Sequence, residues 1–348
     1  MSRYILVLIS FIWFNCEDNV LPDEIELDWK NLDLSKDFET GRVDANGINT
    51  NQLESGVKTL KGLNNFYAIA IVYKGRLIVE EYKYGSENNK YAVYSVTKSV
   101  LSALVGQAVD KGLILDQSEM LGKYYPTIGD SIKQSITIGQ LLTMSSGIPD
   151  FLSYINDSYP LKKIMDYDLH YRPGTSWNYT SAGTHVLSYI FSAATKNSAS
   201  LYGQKHFFPH LGIYDYFWFE DSKGVSNGGF GLYLKVVDMV KFGQLYLQNG
   251  RSANKQIIST DWVKNSSKMV VPFNENKTDG YGLLWWVFQY GDELIYQAIG
   301  YGGQYITIVP SRGLTTAITS RPNSEPAYRT DLNNIYINKI FNSFSRVD

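Results

Sequence analysis

The chain has 348 residues, of which 44% are hydrophobic, so it is long enough to bury a large core in one or two domains. Its formal net charge is −2 and it contains no run of basic residues. A nucleic-acid-binding surface needs clustered positive charge, so the composition argues against nucleic acid as a partner. The 27 tyrosines and 7 tryptophans fit an apolar cleft or a bulky core equally well.

The first 15 residues have the features of an export signal. Arg3 supplies a positive start, and residues 4–14 are nearly all apolar but too few for a membrane-spanning helix of about 20 residues. Cys16, the single cysteine of the chain, follows directly. Residues 1–15 therefore resemble a bacterial lipoprotein signal peptide with Cys16 as the lipidated residue, although Asn15 stands where that signal prefers a small residue. We expect an exported periplasmic or cell-envelope protein, held at the membrane by its lipid.

The next two regions predict a tether and a hairpin. Residues 16–60 are polar and acidic, which indicates a tether that includes one helix near residues 50–60. Residues 66–85 contain two β-rich runs on either side of Lys74-Gly75, a pattern typical of a β-hairpin. A helix is then predicted over residues 95–111, with Gly112 as its C-cap.

Helical segments fill the middle of the chain and strands return at its end. Residues 137–150 predict a short helix stopped by Gly147 and Pro149. Residues 150–265 alternate loops and helical pieces, with clear helical periodicity over 181–195 and 235–250. Strand-like runs then occupy residues 281–320, before a helix near 331–344.

This order of elements predicts an α+β fold. Strands at both chain ends would build one antiparallel sheet flanked by helices, and residues 150–265 would form a mostly helical inserted subdomain. The whole domain would span residues 61–345. We expect the substrate cleft at the boundary between the sheet and the helical insertion.

The start of the helix at residue 95 carries a candidate nucleophile. A serine hydroxyl is weakly nucleophilic until a base takes its proton, and Lys98 lies one helical turn after Ser95 on the same face. Burial in the apolar run would lower the pKa of Lys98, because desolvation disfavours the charged amine. The same spacing occurs at Ser252 and Lys255 in a polar turn, so spacing alone is weak evidence.

A second candidate segment contains Tyr179 and Ser181, just before an apolar helix. A tyrosine near a serine and a lysine can relay the proton between the nucleophile and the leaving group. Ser181 is expected to hydrogen-bond the lysine or the substrate. A rival Tyr-x-Asn sequence begins at Tyr154, but no helix follows it.

A third segment is rich in glycine. Glycines at 300, 302 and 303 allow the backbone of an edge strand to approach a substrate. The N–H of Gln304 would then complete an oxyanion hole with the N–H of Ser95, at the N-terminus of its helix.

Three motifs in this order resemble those of serine hydrolases related to class C β-lactamases, D,D-peptidases (penicillin-binding proteins) and SxxK esterases. The motifs are Ser95-x-x-Lys98, Tyr179-x-Ser181 and Tyr301-Gly302-Gly303. Supporting stretches run from about residue 62 to residue 322, so the resemblance covers most of the chain.

The resemblance implies a β-lactamase/transpeptidase-like fold and a set of roles. Ser95 would be acylated, while Lys98 and Tyr179 would share the base and acid roles. The backbone N–H groups of Ser95 and Gln304 would hold the oxyanion. The residues expected to contact the substrate are Ser181, Tyr301, Gly302 and Gly303.

Three departures from the family pattern bear on the substrate. Tyr301 stands where relatives usually carry His or Lys, which removes a cation that would bind a substrate carboxylate. Met144 stands where many relatives carry histidine, and Ser181 replaces an asparagine. We therefore expect hydrolysis of an ester or an amide, D-amino-acid peptides included, with β-lactam hydrolysis as a side activity at most. We expect the protein to be a monomer that acts on a small-molecule or peptide substrate. No cofactor is expected.

Other interpretations stay open on the sequence alone. Residues 224–228 match G-x-S-x-G, so an α/β-hydrolase using Ser226 is an alternative, although a glycine rather than a helix follows the motif. His206 and His210 have the spacing of a zinc helix, but Pro209 lies between them, so no metal site is expected. A penicillin-binding-like sensor that acylates without turnover, or a binding protein, is the remaining alternative.

Overall fold

A computed structural model of the chain describes residues 27–322, 331–332 and 334–347. Residues 1–15 and Cys16 lie outside the described residues, so the predictions of a signal peptide and of lipidation stay predictions. Across the described ranges, no helix is both long enough and apolar enough to cross a membrane.

Helices predominate in the middle of the described chain and strands at its two ends. The α-helices are α1 (Thr50–Gly62), α2 (Val96–Asp110), α3 (Leu121–Tyr124), α4 (Ser131–Gln134), α5 (Ile138–Leu142), α6 (Pro160–Met165), α7 (Ser181–Thr195), α8 (Ala199–His206), α9 (Val236–Leu247) and α10 (Thr260–Ser266). The strands are β1 (Phe66–Tyr73), β2 (Arg76–Tyr82), β3 (Tyr91–Ala92), β4 (Phe217–Trp218), β5 (Leu232–Leu234), β6 (Arg251–Ser252), β7 (Lys255–Gln256), β8 (Val271–Pro272), β9 (Asp279–Tyr281), β10 (Trp286–Tyr290), β11 (Glu293–Gly300), β12 (Gln304–Val309) and β13 (Leu314–Ser320).

An eight-stranded sheet forms the centre of the fold, in the order β2-β1-β13-β12-β11-β10-β9-β8. Every neighbouring pair in it is antiparallel. Strands β1 and β2 come from the N-terminal part of the chain, and β8 to β13 come from the C-terminal part. The predicted α+β fold, with one antiparallel sheet built from both chain ends, is confirmed.

The predicted hairpin and the helix after it are both present. Tyr73 pairs with Arg76, so the turn is Lys74-Gly75, and both turn residues have positive φ (46° and 80°), as a type I′ turn requires. Helix α2 is buried on nearly all sides, as expected of a helix that is apolar all round. It ends before Gly112, which has the φ of +68° typical of a helix C-terminus.

The helix predicted after residue 137 ends earlier than its sequence indicates. Helix α5 stops at Leu142, five residues before Gly147, because Met144 takes the left-handed conformation with φ +60°. Helix α7 has the bounds of the predicted periodic segment. At the C-terminus, the helical turns are a π-helical turn at Tyr336–Ile340 and a 3₁₀ turn at Phe341–Ser343.

Two hydrophobic layers enclose the sheet. On one face, Ala68, Ala70 and Val72 of β1 join the core made with α2, α7 and α9. On the other face, the alternate residues of β1 pack against α1 and the C-terminal helical turns. Helix α9 lies so close to the sheet that a Cβ on Gly243 would stand 2.5 Å from Thr315 Cγ2.

The close packing of α9 generates a prediction for stability. Gly243→Val should lower the free energy of unfolding by at least about 1 kcal/mol, because β13 leaves no space for the added side chain. Gly62→Ala is the matched control, since nothing lies within 4 Å of the added methyl group at the end of α1. It should be neutral or raise stability by up to about 1 kcal/mol. Urea denaturation of both variants measures the difference, and equal effects would contradict the packing argument.

Candidate active site

Ser95 lies at a sharp turn that leads from β3 into α2. Tyr94, just before it, has φ +48°, a left-handed conformation that is rare and costly for a residue with a bulky side chain. Ser95 is the N-cap residue of α2, yet its side chain makes no capping hydrogen bond. Its hydroxyl is therefore available to other partners.

Lys98 is buried directly beneath Ser95, with 1% of its surface exposed. Its Nζ lies 3.1 Å from Ser95 Oγ, 3.2 Å from Ser181 Oγ and 2.7 Å from the carbonyl oxygen of Gly229. A neutral amine has two N–H donors and one lone pair. When the amine is neutral, its two N–H groups can donate to Ser181 and Gly229 while its lone pair accepts from the hydroxyl of Ser95.

The electrostatic environment favours this neutral form. Burial lowers the pKa of Lys98 to about 7, and the carboxylate of Asp150 opposes the shift only in part. Asp150 is itself solvent-exposed, so water screens its charge. A substantial fraction of the amine is thus unprotonated near neutral pH.

Tyr179 lies against both Ser95 and Lys98. The centre of its ring is 4.8 Å from Lys98 Nζ, and its hydroxyl is hydrogen-bonded to Ser95. Burial raises the pKa of Tyr179 well above its ordinary value, and the hydrogen bond to Ser95 offsets this only partly. The phenol therefore keeps its proton at neutral pH.

The N-terminus of α7 fixes the position of Tyr179 and Ser181. Thr180 is the N-cap residue, and its side chain accepts a hydrogen bond from the N–H of Gly183. The N–H of Ser181 donates to Asp150 Oδ1 at 2.7 Å. The N–H of Thr180 donates to Met144 Sδ at 3.4 Å, so the unusual Met144 contacts the second motif directly.

The third motif approaches Ser95 through its backbone. A Cβ on Gly300 would stand 2.3 Å from the carbonyl oxygen of Val93, so the end of β11 touches the segment just before the serine. Gln304 begins β12, and its buried amide donates to the carbonyl of Ser320 at 2.7 Å, which fixes the start of that strand. The start of β12 also lies beside the end of β11, where Gln304 pairs with Gly300.

The glycines and Tyr301 form the rim of the site. Gly302 and Gly303 have φ of +77° and +97°, conformations that favour glycine. Tyr301 is 53% exposed, and its ring lies 5.8 Å from the ring of Tyr94. Neither ring carries a charge that could bind a carboxylate.

The structure also places the rival motifs. Ser252 donates to the carbonyl of His210 and accepts from the N–H of Leu34, so it joins two segments of the fold. Ser226 is fully buried, accepts from the N–H of Ser200 and donates to Glu220. The described residues contain no group of His, Cys, Asp and Glu side chains arranged to hold a metal ion.

Two groups near Lys98 were missed by sequence reasoning. The Gly229 carbonyl is a backbone atom 131 positions from Lys98, and no side-chain pattern indicates it. Asp150 ends the stretch "SSGIPD" and meets the N-terminus of α7 only in the folded chain, 31 positions from Ser181, so no local pattern indicates it.

An antiparallel sheet covered by helices, with a serine and a buried lysine at the start of its central helix, defines the β-lactamase/transpeptidase-like class. Residues 67–336 match the Beta-lactamase family model, so the chain belongs to the Beta-lactamase family. The expected resemblance to class C β-lactamases and their serine hydrolase relatives is confirmed.

Individual relatives are distant. An uncharacterized protein of Alkalihalophilus pseudofirmus is 25% identical over 319 residues, which cover 78% of this chain and 90% of that protein. A Bacillus anthracis protein provisionally assigned as a 6-aminohexanoate-dimer hydrolase has a TM-score of 0.71 at 19% identity, with 88% of each chain covered. A class C β-lactamase of Rhodobacter sphaeroides has a TM-score of 0.68 at 14% identity, covering 84% of this chain and 99% of that chain. The solved structures share the fold, and the family places the chain among hydrolase-like proteins.

Proposed function

We propose that the chain is a serine hydrolase that cleaves an ester or an amide through an acyl-enzyme on Ser95. One observation carries the proposal: the amine of Lys98 is buried, has a pKa of about 7, and lies 3.1 Å from Ser95 Oγ. A neutral amine at hydrogen-bond distance from a serine hydroxyl is a general base in place.

Acylation follows from the protonation states of the two catalytic side chains. The proton of the Ser95 hydroxyl moves to Lys98 as Oγ forms a bond to the substrate carbonyl carbon. The N–H groups of Ser95 and Gln304 stabilise the oxyanion. The bond to the leaving group then breaks, the leaving group takes the phenolic proton of Tyr179, and Lys98 returns its proton to Tyr179.

Deacylation reverses these transfers with water in place of the leaving group. Water gives a proton to Tyr179 while its oxygen attacks the acyl carbon, and Tyr179 passes its own phenolic proton to Lys98. The ester bond to Ser95 then breaks, the acid product leaves, and Lys98 returns that proton to Ser95 Oγ. Because the pKa of Tyr179 is raised, the resting base is Lys98, and Tyr179 passes protons between Lys98 and the departing or attacking oxygen.

The rim of the site favours an uncharged substrate. Tyr301 supplies an exposed phenol where a cation would bind a carboxylate. Beside Tyr179, the rings of Trp177 and Trp286 lie 6.2 Å and 5.9 Å from its ring centre, and Tyr281 packs behind them. This supports esters and amides with apolar groups, D-amino-acid peptides included, over penicillin-like acids as substrates.

A fluorophosphonate probe tests the nucleophile. The probe should label Ser95, with the adduct located by mass spectrometry, and Ser95→Ala should abolish labelling, because Ser181, the other serine that contacts Lys98, accepts an N–H from the amine in the proposed arrangement and does not donate its proton to it. Ser226→Ala is the control and should label normally. Labelling at Ser226, or undiminished labelling of Ser95→Ala, would contradict the assignment. A stable Ser95 adduct with ester or peptide substrates, without turnover, would favour the sensor alternative.

The pH dependence of turnover tests the base. Since burial lowers the pKa of Lys98 to about 7, kcat/KM should rise with pH and level off above about 7, where the amine is neutral.

Lys98→Ala and Tyr179→Phe should each lower turnover of p-nitrophenyl esters by at least about 100-fold. Near-normal rates in either variant would remove that residue from the mechanism.

We further propose that the chain is exported, is lipid-anchored through Cys16, and acts as a monomer on its small-molecule or peptide substrate. The apolar residues 4–14, followed by the single cysteine, support the anchor. Cell fractionation should find the chain with membranes and Cys16→Ser outside them. Equal membrane association of both would contradict lipidation at this residue.

A further inference from the structure

The contact between Lys98 and Gly229 is the shortest of the three that the amine makes. Its 2.7 Å distance compares with 3.1 Å to Ser95 and 3.2 Å to Ser181. A rigid carbonyl at this position sets the direction of one N–H and therefore the direction of the lone pair. The turn at residues 227–230, which presents that carbonyl, thus affects how the base faces Ser95.

The side chain of Asn227 holds this turn from within. Its Oδ1 accepts hydrogen bonds from the N–H of Gly229 at 2.9 Å and from the N–H of Phe230 at 3.2 Å. Asn227 is fully buried, and its own carbonyl accepts from Trp218 Nε1 at 2.9 Å. An asparagine that accepts from the next backbone N–H groups fixes the peptides between them.

Close packing against α7 restricts movement of the turn toward that helix. A Cβ on Gly228 would stand 2.2 Å from the carbonyl oxygen of Thr184, and one on Gly229 would stand 2.7 Å from Ser181 Cβ. The turn therefore contacts Ser181, whose hydroxyl also accepts a hydrogen bond from Lys98. The Gly229 carbonyl and the Ser181 hydroxyl thus lie in one packed unit.

A buried His–Asp pair lies behind the same turn. The N–H of Gly228 donates to His185 Nδ1 at 3.4 Å, and His185 Nε2 lies 3.0 Å from Asp221 Oδ2. Both side chains are fully buried. A neutral imidazole that carries its proton on Nε2 satisfies both contacts, so Asp221 selects the tautomer that can accept from Gly228.

The second partner of Asp221 strengthens this selection. The hydroxyl of Tyr189 donates to Asp221 Oδ2 at 2.6 Å. Burial raises the pKa of Asp221, but the hydrogen bonds from His185 and Tyr189 outweigh it and hold the pKa below its ordinary value. Asp221 therefore stays a carboxylate at neutral pH. The ring of Tyr154 stacks on His185, with the two ring centres 5.0 Å apart.

We propose that Asn227 and His185 are positioning residues for the base of the reaction: they fix the Gly228-Gly229 backbone, and the Gly229 carbonyl in turn aims the lone pair of Lys98 at Ser95. This inference rests on the proposed function, since it concerns the base of that reaction. It also gives a role to residues 224–228, whose G-x-S-x-G pattern resembles a nucleophile motif. In this proposal the segment helps to position Lys98, the base that acts on Ser95, and Ser226 is not a nucleophile.

Asn227→Leu removes the Oδ1 atom that accepts hydrogen bonds from the turn and keeps a side chain of similar volume. The rate constant for phosphonylation of Ser95 by a fluorophosphonate, which uses the same hydroxyl and base as acylation, should fall at least about tenfold, because the lone pair is no longer held toward the hydroxyl. The acid limb of the pH–rate profile should move to lower pH, because a carbonyl acceptor stabilises the charged amine and its loss lowers the pKa of Lys98. Tyr216→Phe, which removes a hydroxyl that hydrogen-bonds the carbonyl of Ser200 and neither Asn227 nor His185, should stay within about threefold of wild type.

Two substitutions of His185 separate positioning from stability. His185→Asn keeps an acceptor near the Nδ1 position and loses the contact with Asp221, whereas His185→Gln keeps a donor to Asp221 and loses the acceptor for Gly228. We expect His185→Asn to have the lower Tm but the faster acylation. A purely structural role would make acylation follow Tm in both variants.

The outcomes distinguish this inference from the proposed function. If acylation follows Tm in the His185 pair, or Asn227→Leu keeps its acid limb and stays within threefold of wild type, the positioning role is wrong while Ser95 is still labelled. If wild-type Ser95 is not labelled at all, the proposed function itself fails. Should Asn227→Leu not fold, the order within the His185 pair decides the question.

Discussion

The removal of Lys98 from water is the constraint on which the rest of the site depends. Burying an ammonium group costs several kcal/mol unless a charge partner compensates for it. Helix α2 keeps the amine inside the core, and the acid that acts on it, Asp150, is exposed. Burial therefore lowers the pKa of Lys98 to about 7, so a substantial fraction of the amine is uncharged near neutral pH, and its three oxygen neighbours are uncharged groups. The reactivity proposed for Ser95 therefore depends on the buried position of Lys98 Nζ.

Close backbone contacts make this arrangement rigid. At Gly300 and at Gly228, a carbonyl from another segment lies where a Cβ would otherwise be, first from Val93 and then from Thr184. These contacts join β11 to the segment before Ser95 and the 227–230 turn to α7. Atoms so close have few alternative positions, because protein interiors are packed as densely as organic crystals. Main-chain contacts therefore hold the candidate site in place, as its side-chain hydrogen bonds do.

Much of the fold could be predicted from the sequence, because its signals are local. The Lys74-Gly75 turn, the apolar run after Ser95 and the two strand-rich ends each indicate their own structure within a short window. The end of α5 could not be predicted, since Met144 adopts a left-handed conformation that its type does not favour. The pairing of Ser95 with Lys98 came from spacing and context. The Gly229 carbonyl could not be found this way, because a backbone atom distant in sequence carries no residue signature.

The position of β1 also governs how the molecule assembles. It pairs with β2 on one side and with β13 on the other, so its central place in the sheet is completed by a strand from the far end of the domain. Contacts between such distant segments make folding slow, because a long loop must close before they form. The helix that carries Ser95 is made early in the chain, but Gly300 and Gln304 are among the later residues to be synthesised. A partly made chain therefore holds Ser95 and Lys98 without Gly300 and Gln304, and the proposed active site is completed only when the C-terminal strands are in place.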